Sequence, residues 1–183
     1  MDRPLITATV LATHLAGRIS PTDPRLQAAA EGASAAIRAY CNWHVAPVAK
    51  QTLILDGPGG VELDLPTMRV SSIMRIHNNN RLISPQDYSW SQLGNVRLHG
   101  GVWTTRYRGV TVTLTHGLPQ APDVIQVGLA VAARHLANPT GVVREQAGQV
   151  AVQYTAGTGD ASGGFGLLGS EEQILNNYRI TTP

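Results

Sequence analysis

Apolar residues near the start of the chain recur at helical spacing. One stripe is built from residues separated by four, three, four and three positions: Leu26, Ala30, Ala33, Ile37 and Tyr40. Such spacing places side chains on one face of a helix. Asp23 and Pro24 are residue types favoured at the N-cap and at the first helical position. The pattern predicts a helix over about residues 24–42, preceded by a shorter helix with Thr9 as its N-cap.

The middle of the chain, about residues 50–116, changes to the period of two that is typical of strands. Its clearest stretch alternates Val110, Val112 and Leu114 with three threonines. The segment "DGPGG" separates two shorter alternating runs, 53–55 and 61–65, which predicts a hairpin between them. Asparagine tolerates a left-handed backbone, so "NNN" at 78–80 predicts the tip of a second hairpin.

A third segment predicts a helix near 123–137, with Asp123 as its N-cap. Ile125 and Leu129 mark one apolar face, while Val127 and Val131 fill much of the rest. A helix that is apolar on most sides must be buried on most sides. The cover could come from the same chain or from a neighbouring subunit, and Val127 and Val131 are therefore candidate interface residues.

The C-terminal part combines a glycine-rich tract with one short helix. Residues 157–166 read "GTGDASGGFG", a composition typical of a flexible linker. The sequence "SEEQ" at 170–173 has the spacing of a capping box. A helix this short is marginal alone in water, so we expect it to dock on a partner. Its candidate contact residues are Ile174, Leu175, Tyr178 and Arg179.

These patterns together predict an α+β fold. A helical core, formed by the N-terminal helices and the buried helix near 123–137, would carry an inserted antiparallel β region at about 50–116. We expect one domain over residues 1–156. Residues 157–183 would form an arm composed of the linker and the last helix.

Composition narrows the class of protein. Charged residues make up 14% of the 183 residues, against about 25% in typical soluble domains. A Gly/Thr/Ser-rich β protein and a subunit buried in an assembly both fit this shortage. The formal net charge is +2 and the arginines are scattered along the chain, which disfavours a strong nucleic-acid-binding module. The chain shows no signal-peptide pattern and no membrane-spanning stretch, so we expect no membrane partner.

The sequence offers no catalytic constellation, and we predict a protein that is not an enzyme. None of its six histidines forms an HxxxH or HExxH pair, and one cysteine excludes an internal disulfide framework. The glycine tract lacks the Gly-Lys-Ser/Thr of a phosphate loop. We therefore expect no metal and no cofactor, with structural roles for the histidines: His14, His44, His77, His99, His116 and His135.

Several ordered motifs resemble those of the head-to-tail connector (adaptor) proteins of long-tailed bacteriophages, particularly those of actinobacterial phages. They are "LQAAAEGASAAIRAYCNW", "DYSW", "VTVTLTHGLPQAPDVIQVGLAVAARHLANPTGVVREQAGQVAVQY" and "SEEQILNNYR". The resemblance covers about residues 5–180. It implies a structural virion protein, made in the bacterial host cytoplasm and located in the neck.

The resemblance also implies partners. Such adaptors form a ring, usually of twelve subunits, beneath the portal protein. The ring extends the DNA channel and presents a platform for the stopper or tail-completion protein. Genomic DNA would pass through without tight sequence-specific binding, and the C-terminal arm would engage the portal. A different neck component, such as a stopper or tail-completion protein, is the near alternative, and a β-rich ligand-binding module or an enzyme is the distant one.

Overall fold

The computed structural model describes residues 4–137, 144–147, 150–153 and 165–181. It divides into two compact units, each with its own core. The helical unit comprises Met1–Cys41 and Ala121–Arg179, and the β unit comprises Asn42–Gln120 with Ile180–Pro183. The β unit thus interrupts the helical unit in sequence. This arrangement confirms the predicted α+β class with an inserted β region.

Four α-helices form the helical unit: α1 Ala8–His14, α2 Pro24–Cys41, α3 Pro122–Ala137 and α4 Gly169–Leu175. Helix α2 begins as predicted, because the Arg25 backbone N–H donates to Asp23 Oδ1 over 2.9 Å. No helix within the described ranges is long and apolar enough to cross a membrane.

The starts of two other helices differ from the prediction. The N-cap of α1 is Thr7, whose hydroxyl accepts a hydrogen bond from the Val10 N–H over 3.3 Å, and Thr9 lies inside the helix. Helix α3 starts at Pro122, so Asp123 lies in its first turn and is not the N-cap. Proline already has the φ angle of a helix and lacks the N–H that would go unpaired there, which favours it as the first helical residue.

The core of the helical unit brings α2 and α3 close together. Leu26, Ile37 and Val124 are fully buried. A Cβ atom at Gly128 would lie 3.3 Å from Ile37 Cδ1 and 3.4 Å from Ile6 Cγ2. Glycine at this position therefore permits a close approach that a larger residue would hinder.

Nine strands are present in the described residues: β1 Ala49–Leu55, β2 Glu62–Asp64, β3 Val70–Asn78, β4 Arg81–Ile83, β5 Tyr88–Trp90, β6 Asn95–Leu98, β7 Val110–His116, β8 Arg144–Ala147 and β9 Val150–Gln153. All pairings are antiparallel. The β unit holds a four-stranded sheet of order β1-β7-β3-β4 and a three-stranded sheet of order β2-β6-β5, while β8 and β9 pair with each other.

The predicted hairpin across "DGPGG" is wrong. Leu53 on β1 lies opposite Val112 on β7, whereas Leu63 on β2 lies opposite Val96 on β6. The glycine segment instead carries the chain from one sheet to the other. It packs tightly on the way, since a Cβ atom at Gly57 would meet a backbone carbonyl oxygen at 1.9 Å.

The predicted asparagine hairpin is confirmed. Strands β3 and β4 pair through Asn78 and Arg81. Asn79 and Asn80 adopt φ angles of 51° and 66°, the left-handed conformation that asparagine tolerates better than most residues.

Both sheets of the β unit share one hydrophobic core. Trp103 is fully buried within it, and its indole N–H donates to the Val61 carbonyl over 3.1 Å. The strand residues that point inward are Leu63, Val70, Ile76, Tyr88, Val96, Leu98, Val110, Val112 and Leu114. A shared core explains why β1 and β2 are separated, because each sheet must direct one apolar face toward the other.

Shortening Leu129 on α3 should destabilise the helical unit. Leu129 is 3% exposed, and Leu→Ala at a buried site lowers the free energy of unfolding by roughly 2–5 kcal/mol. Val10 on α1 is 45% exposed, so Val10→Ala is a matched control with an expected change within about 0.5 kcal/mol. Chemical denaturation measures both. Equal effects of the two substitutions would contradict the burial of Leu129.

Candidate assembly surface

The C-terminal segment, residues 165–181, packs on α2 and α3 through apolar side chains. Leu175 is fully buried and Leu167 is 9% exposed. Helix α4 has only seven residues, a length that is not stable alone in water. Its packing against α2 and α3 therefore stabilises it. Of the predicted linker at 157–166, residues 157–164 lie outside the described residues.

A bidentate salt bridge holds this segment against α3. The Arg134 guanidinium donates to both carboxylate oxygens of Glu171, over 2.9 and 2.8 Å. It also donates to the Gly166 carbonyl over 2.8 Å. Only 25% of the Arg134 side chain and 9% of the Glu171 side chain are exposed. The pair is therefore shielded from water, and removing either partner would leave a poorly solvated charge.

The start of α4 differs from the capping box predicted at 170–173. The N-cap is Leu168, and Glu171 at the third helical position reaches back to it. The Glu171 carboxylate accepts the Leu168 backbone N–H over 2.8 Å. Glu171 can serve the helix end in this way because Arg134 already holds it in place.

A second polar contact links the end of the segment to the start of α3. The Tyr178 hydroxyl donates to Asp123 Oδ2 over 2.7 Å. This hydrogen bond, with burial as the next cause, raises the pKa of Tyr178 to about 12. Asp123 therefore accepts a hydrogen bond from the C-terminal segment and is not the N-cap of its own helix.

The last contacts of this segment lie on the end of α2. The Tyr40 hydroxyl donates to Asn176 Oδ1 over 2.8 Å. The Arg179 guanidinium carbon lies 5.1 Å from the centroid of the Tyr40 ring, within the range of a cation–π contact. Arg179 itself is exposed.

The six interface residues predicted from sequence fall into two groups. Three fill the core of their own unit and have no surface to offer a second chain: Val127 at 4%, Val131 at 1% and Leu175 at 0% exposure. Their assignment to an interface is corrected for that reason. Ile174 is 37% exposed, Tyr178 is half-buried and Arg179 is exposed, and these three stay predicted interface residues.

Sequence reasoning did not identify the Arg134–Glu171 pair. One signal was present, because Arg134 is a cation in a helix whose other positions are mostly apolar. A buried cation needs a carboxylate partner. The sequence does not indicate which carboxylate, because Glu171 lies 37 residues later.

Three of the histidines, His44, His116 and His135, contact other side chains. His135 stacks on Phe165 with ring centroids 4.2 Å apart. His44 and His116 lie 5.4 Å apart in the β unit, and His116 Nε2 is 2.7 Å from Gln51 Oε1. Within the described ranges, no group of three or more His, Cys, Asp or Glu side chains could hold a metal ion.

The sequence contains one cysteine, Cys41, and it is buried. Burial raises the pKa of its thiol to about 11. The thiolate is the reactive form of cysteine, and at neutral pH this thiol is protonated. Its position at the end of α2 is that of a small apolar core residue.

Comparison with known proteins gives one family. The family model described as "HCP: Head completion protein" matches residues 5–138, which is more than half of the chain. No curated protein matches the chain.

Solved structures share the fold. A chain in "Neck of native GTA particle computed with C12 symmetry" matches with a TM-score of 0.61 and 12% identity, covering 100% of this chain and 97% of that one. A chain in "Neck of empty GTA particle computed with C6 symmetry" has a TM-score of 0.61 and 13% identity, with coverages of 97% and 91%. A third, in "Virion of native gene transfer agent (GTA) particle", has a TM-score of 0.59 and 13% identity, with the same coverages.

Replacing Glu171 by Gln should loosen the C-terminal segment. The substitution keeps the side chain's size but leaves Arg134 without its counter-charge, and hydrogen bonds to charged groups contribute about 1.5–3 kcal/mol. We expect a loss of that order in the free energy of unfolding and faster proteolysis within residues 165–181. Glu172→Gln is the matched control, because Glu172 makes no ion pair with a described residue. Unchanged stability of Glu171→Gln would show that the pair is not stabilising.

Alkaline pH should weaken the contact of Tyr178 with Asp123. The pKa of Tyr178 is about 12 in the folded chain against 10 for a free tyrosine. The stabilisation is therefore complete below pH 10 and is lost as pH rises toward 12. The ultraviolet titration of tyrosinate, taken as the difference between wild type and Tyr178→Phe, measures this midpoint. Asp123→Asn should move it down, and a midpoint near 10 in the wild type would refute the contact.

Proposed function

The chain belongs to the head completion protein family and is a structural protein of the bacteriophage virion, and from this premise we propose that it forms a ring in the neck. The observation that carries the proposal is the extent of the family match. Residues 5–138 include α1 to α3 and the strands β1 to β7. The proposed role is that of a head-to-tail adaptor of the kind found in actinobacterial phages.

The proposed ring has twelve subunits. Two of the similar neck structures were computed with C12 and C6 symmetry, which supports a closed rotational arrangement. Ring contacts of this kind are heterologous, so each subunit must present two different surfaces to its neighbours. The proposed axial partners are the portal protein on one side and a stopper or tail-completion protein on the other, with DNA passing through the centre.

We assign the portal contact to the outer edge of the docked C-terminal segment. Ile174 is a 37% exposed apolar side chain on α4, and Arg179 is exposed close to it in sequence. The segment is already held by the Arg134–Glu171 pair. A preorganised surface loses less conformational entropy on binding than a free arm would.

Ile174→Asp should block attachment to the portal without unfolding the chain. An exposed position tolerates a charge, whereas the same charge in an apolar contact is strongly unfavourable. Heads purified from the phage carrying this substitution should lack the protein, as measured by quantitative mass spectrometry. Val10→Asp is the matched control, since Val10 is 45% exposed on α1 of the same unit, and it should leave the protein content of the heads unchanged.

Two results would contradict this proposal. Normal retention of the Ile174→Asp protein would show that the segment does not attach the ring. A neck reconstruction in which the chain does not touch the portal would favour a stopper or tail-completion protein. Val127→Asp is unsuitable as an interface test, because Val127 is 4% exposed and a buried charge would unfold the helical unit.

A further inference from the structure

Two loops of the β unit meet at the end opposite to its connections with the rest of the chain. We call this end the tip and define it as residues 78–81 together with residues 104–109. Strand β7 starts beside the tip at Val110 and ends at His116, after which the chain leaves the unit. The tip is therefore distal within the β unit.

Polar contacts hold the two loops together. Asn78 Oδ1 accepts the Thr104 backbone N–H over 2.9 Å, and the Asn79 N–H donates to the Gly109 carbonyl over 2.7 Å. The Arg106 guanidinium donates to Asn79 Oδ1 over 3.1 Å. The tip is thus a preorganised surface.

The tip concentrates positive charge, because Arg81 lies beside a loop that carries Arg106 and Arg108. Arg81, Arg106 and Arg108 are all exposed there, and Tyr107 between the last two is 88% exposed. The neighbouring carboxylate, Asp56, accepts the Arg108 backbone N–H over 2.6 Å. It holds the loop in shape, and two positive charges remain in excess.

The β unit as a whole is basic. Residues 42–120 contain seven Lys and Arg against four Asp and Glu, a formal charge of +3. Three of those seven cations lie at the tip. The antiparallel pairing of β3 with β4 and β7 brings Arg81 next to a loop that lies 25 positions later in the chain.

We propose that the tip binds the phosphodiester backbone of double-stranded DNA through Arg81, Arg106 and Arg108. Guanidinium groups bind phosphate through paired N–H donors, and an exposed tyrosine hydroxyl can donate to phosphate as well. This inference rests on the proposed function only for the source of the DNA.

Charge and shape favour DNA over an acidic protein segment. The protruding side chains of the tip are three guanidinium groups and one tyrosine. Protein hot spots also use Arg and Tyr, but they bury them in a well-packed, desolvated centre, whereas these side chains are exposed and suit the phosphates of a duplex. Three phosphate contacts per chain give weak, salt-sensitive and sequence-independent binding. Such binding lets DNA slide.

Fluorescence anisotropy of a labelled 30-base-pair duplex with the full chain tests the proposal. Neutralising three phosphates gives a slope of about −2.7 for log K against log salt, a weakening of roughly 40-fold between 50 and 200 mM NaCl. The variant with Arg81, Arg106 and Arg108 all changed to Gln should lose most of that slope and bind at least about tenfold more weakly at 50 mM. The variant with the same three residues changed to Lys keeps the charge and should retain most of the binding.

A matched control removes the same charge elsewhere, by changing Arg18, Arg75 and Arg97 to Gln. All three are exposed and lie outside the tip, so binding should stay within about twofold of wild type. Thermal melting of each variant checks that it is folded.

Three outcomes would overturn the proposal. The first is wild-type protein that does not bind the duplex at 50 mM NaCl, and the second is a control variant that binds DNA as weakly as the tip variant. The third is poly-L-glutamate that binds the wild-type protein as tightly as DNA does and loses as much affinity in the tip variant. The last would assign the tip to an acidic protein segment. The assay needs no virion, so failure here leaves the ring proposal untouched. Wild-type heads that lack the protein would refute the ring proposal and leave the DNA contact of the tip untouched.

Discussion

The ion pair between Arg134 and Glu171 is the interaction on which the helical unit's C-terminal part depends. Helix α3 is apolar on most of its surface, so a cation there must find a carboxylate. Its partner comes from a segment 37 residues later, and the pair therefore decides where that segment lies. The carbonyl of Gly166 and the N–H of Leu168 complete the network. A buried pair stabilises a fold when its remaining donors and acceptors are satisfied in this way.

Part of the local structure was predictable because it depends on neighbours in sequence, although the predicted starts of α1, α3 and α4 were wrong. The stripe of α2, the Asp23 cap and the asparagine turn at Asn79 follow from spacing and backbone preference. Strand partners depend on distant residues instead. The segment after β1 looks like a hairpin turn, yet β1 pairs with β7 and β2 with β6. A period of two reveals that a strand has an apolar face, but it does not say which other strand shares the core.

The same limit applies to the interface. Hydrophobicity marks a residue that will be buried, without indicating whether its own chain or a partner will cover it. Val127, Val131 and Leu175 are covered by their own unit, so of the six predicted interface residues Ile174, Tyr178 and Arg179 are left for a partner. Charge behaves similarly. Arg81 is distant in sequence from Arg106 and Arg108, yet the antiparallel pairing of β3 with β4 and β7 brings it beside their loop.

The two units differ in the kind of contact they can offer. Outside residues 42–120 the chain has eight Asp and Glu against seven Lys and Arg, a formal charge of −1, whereas the β unit carries +3. Apolar contacts are insensitive to moderate salt, which suits the permanent attachment proposed for the edge at Ile174. Exposed arginine–phosphate contacts are screened over a Debye length of about 8 Å at physiological ionic strength. They can form and break as DNA moves, which suits a contact made by the exposed arginines at the tip of the β unit.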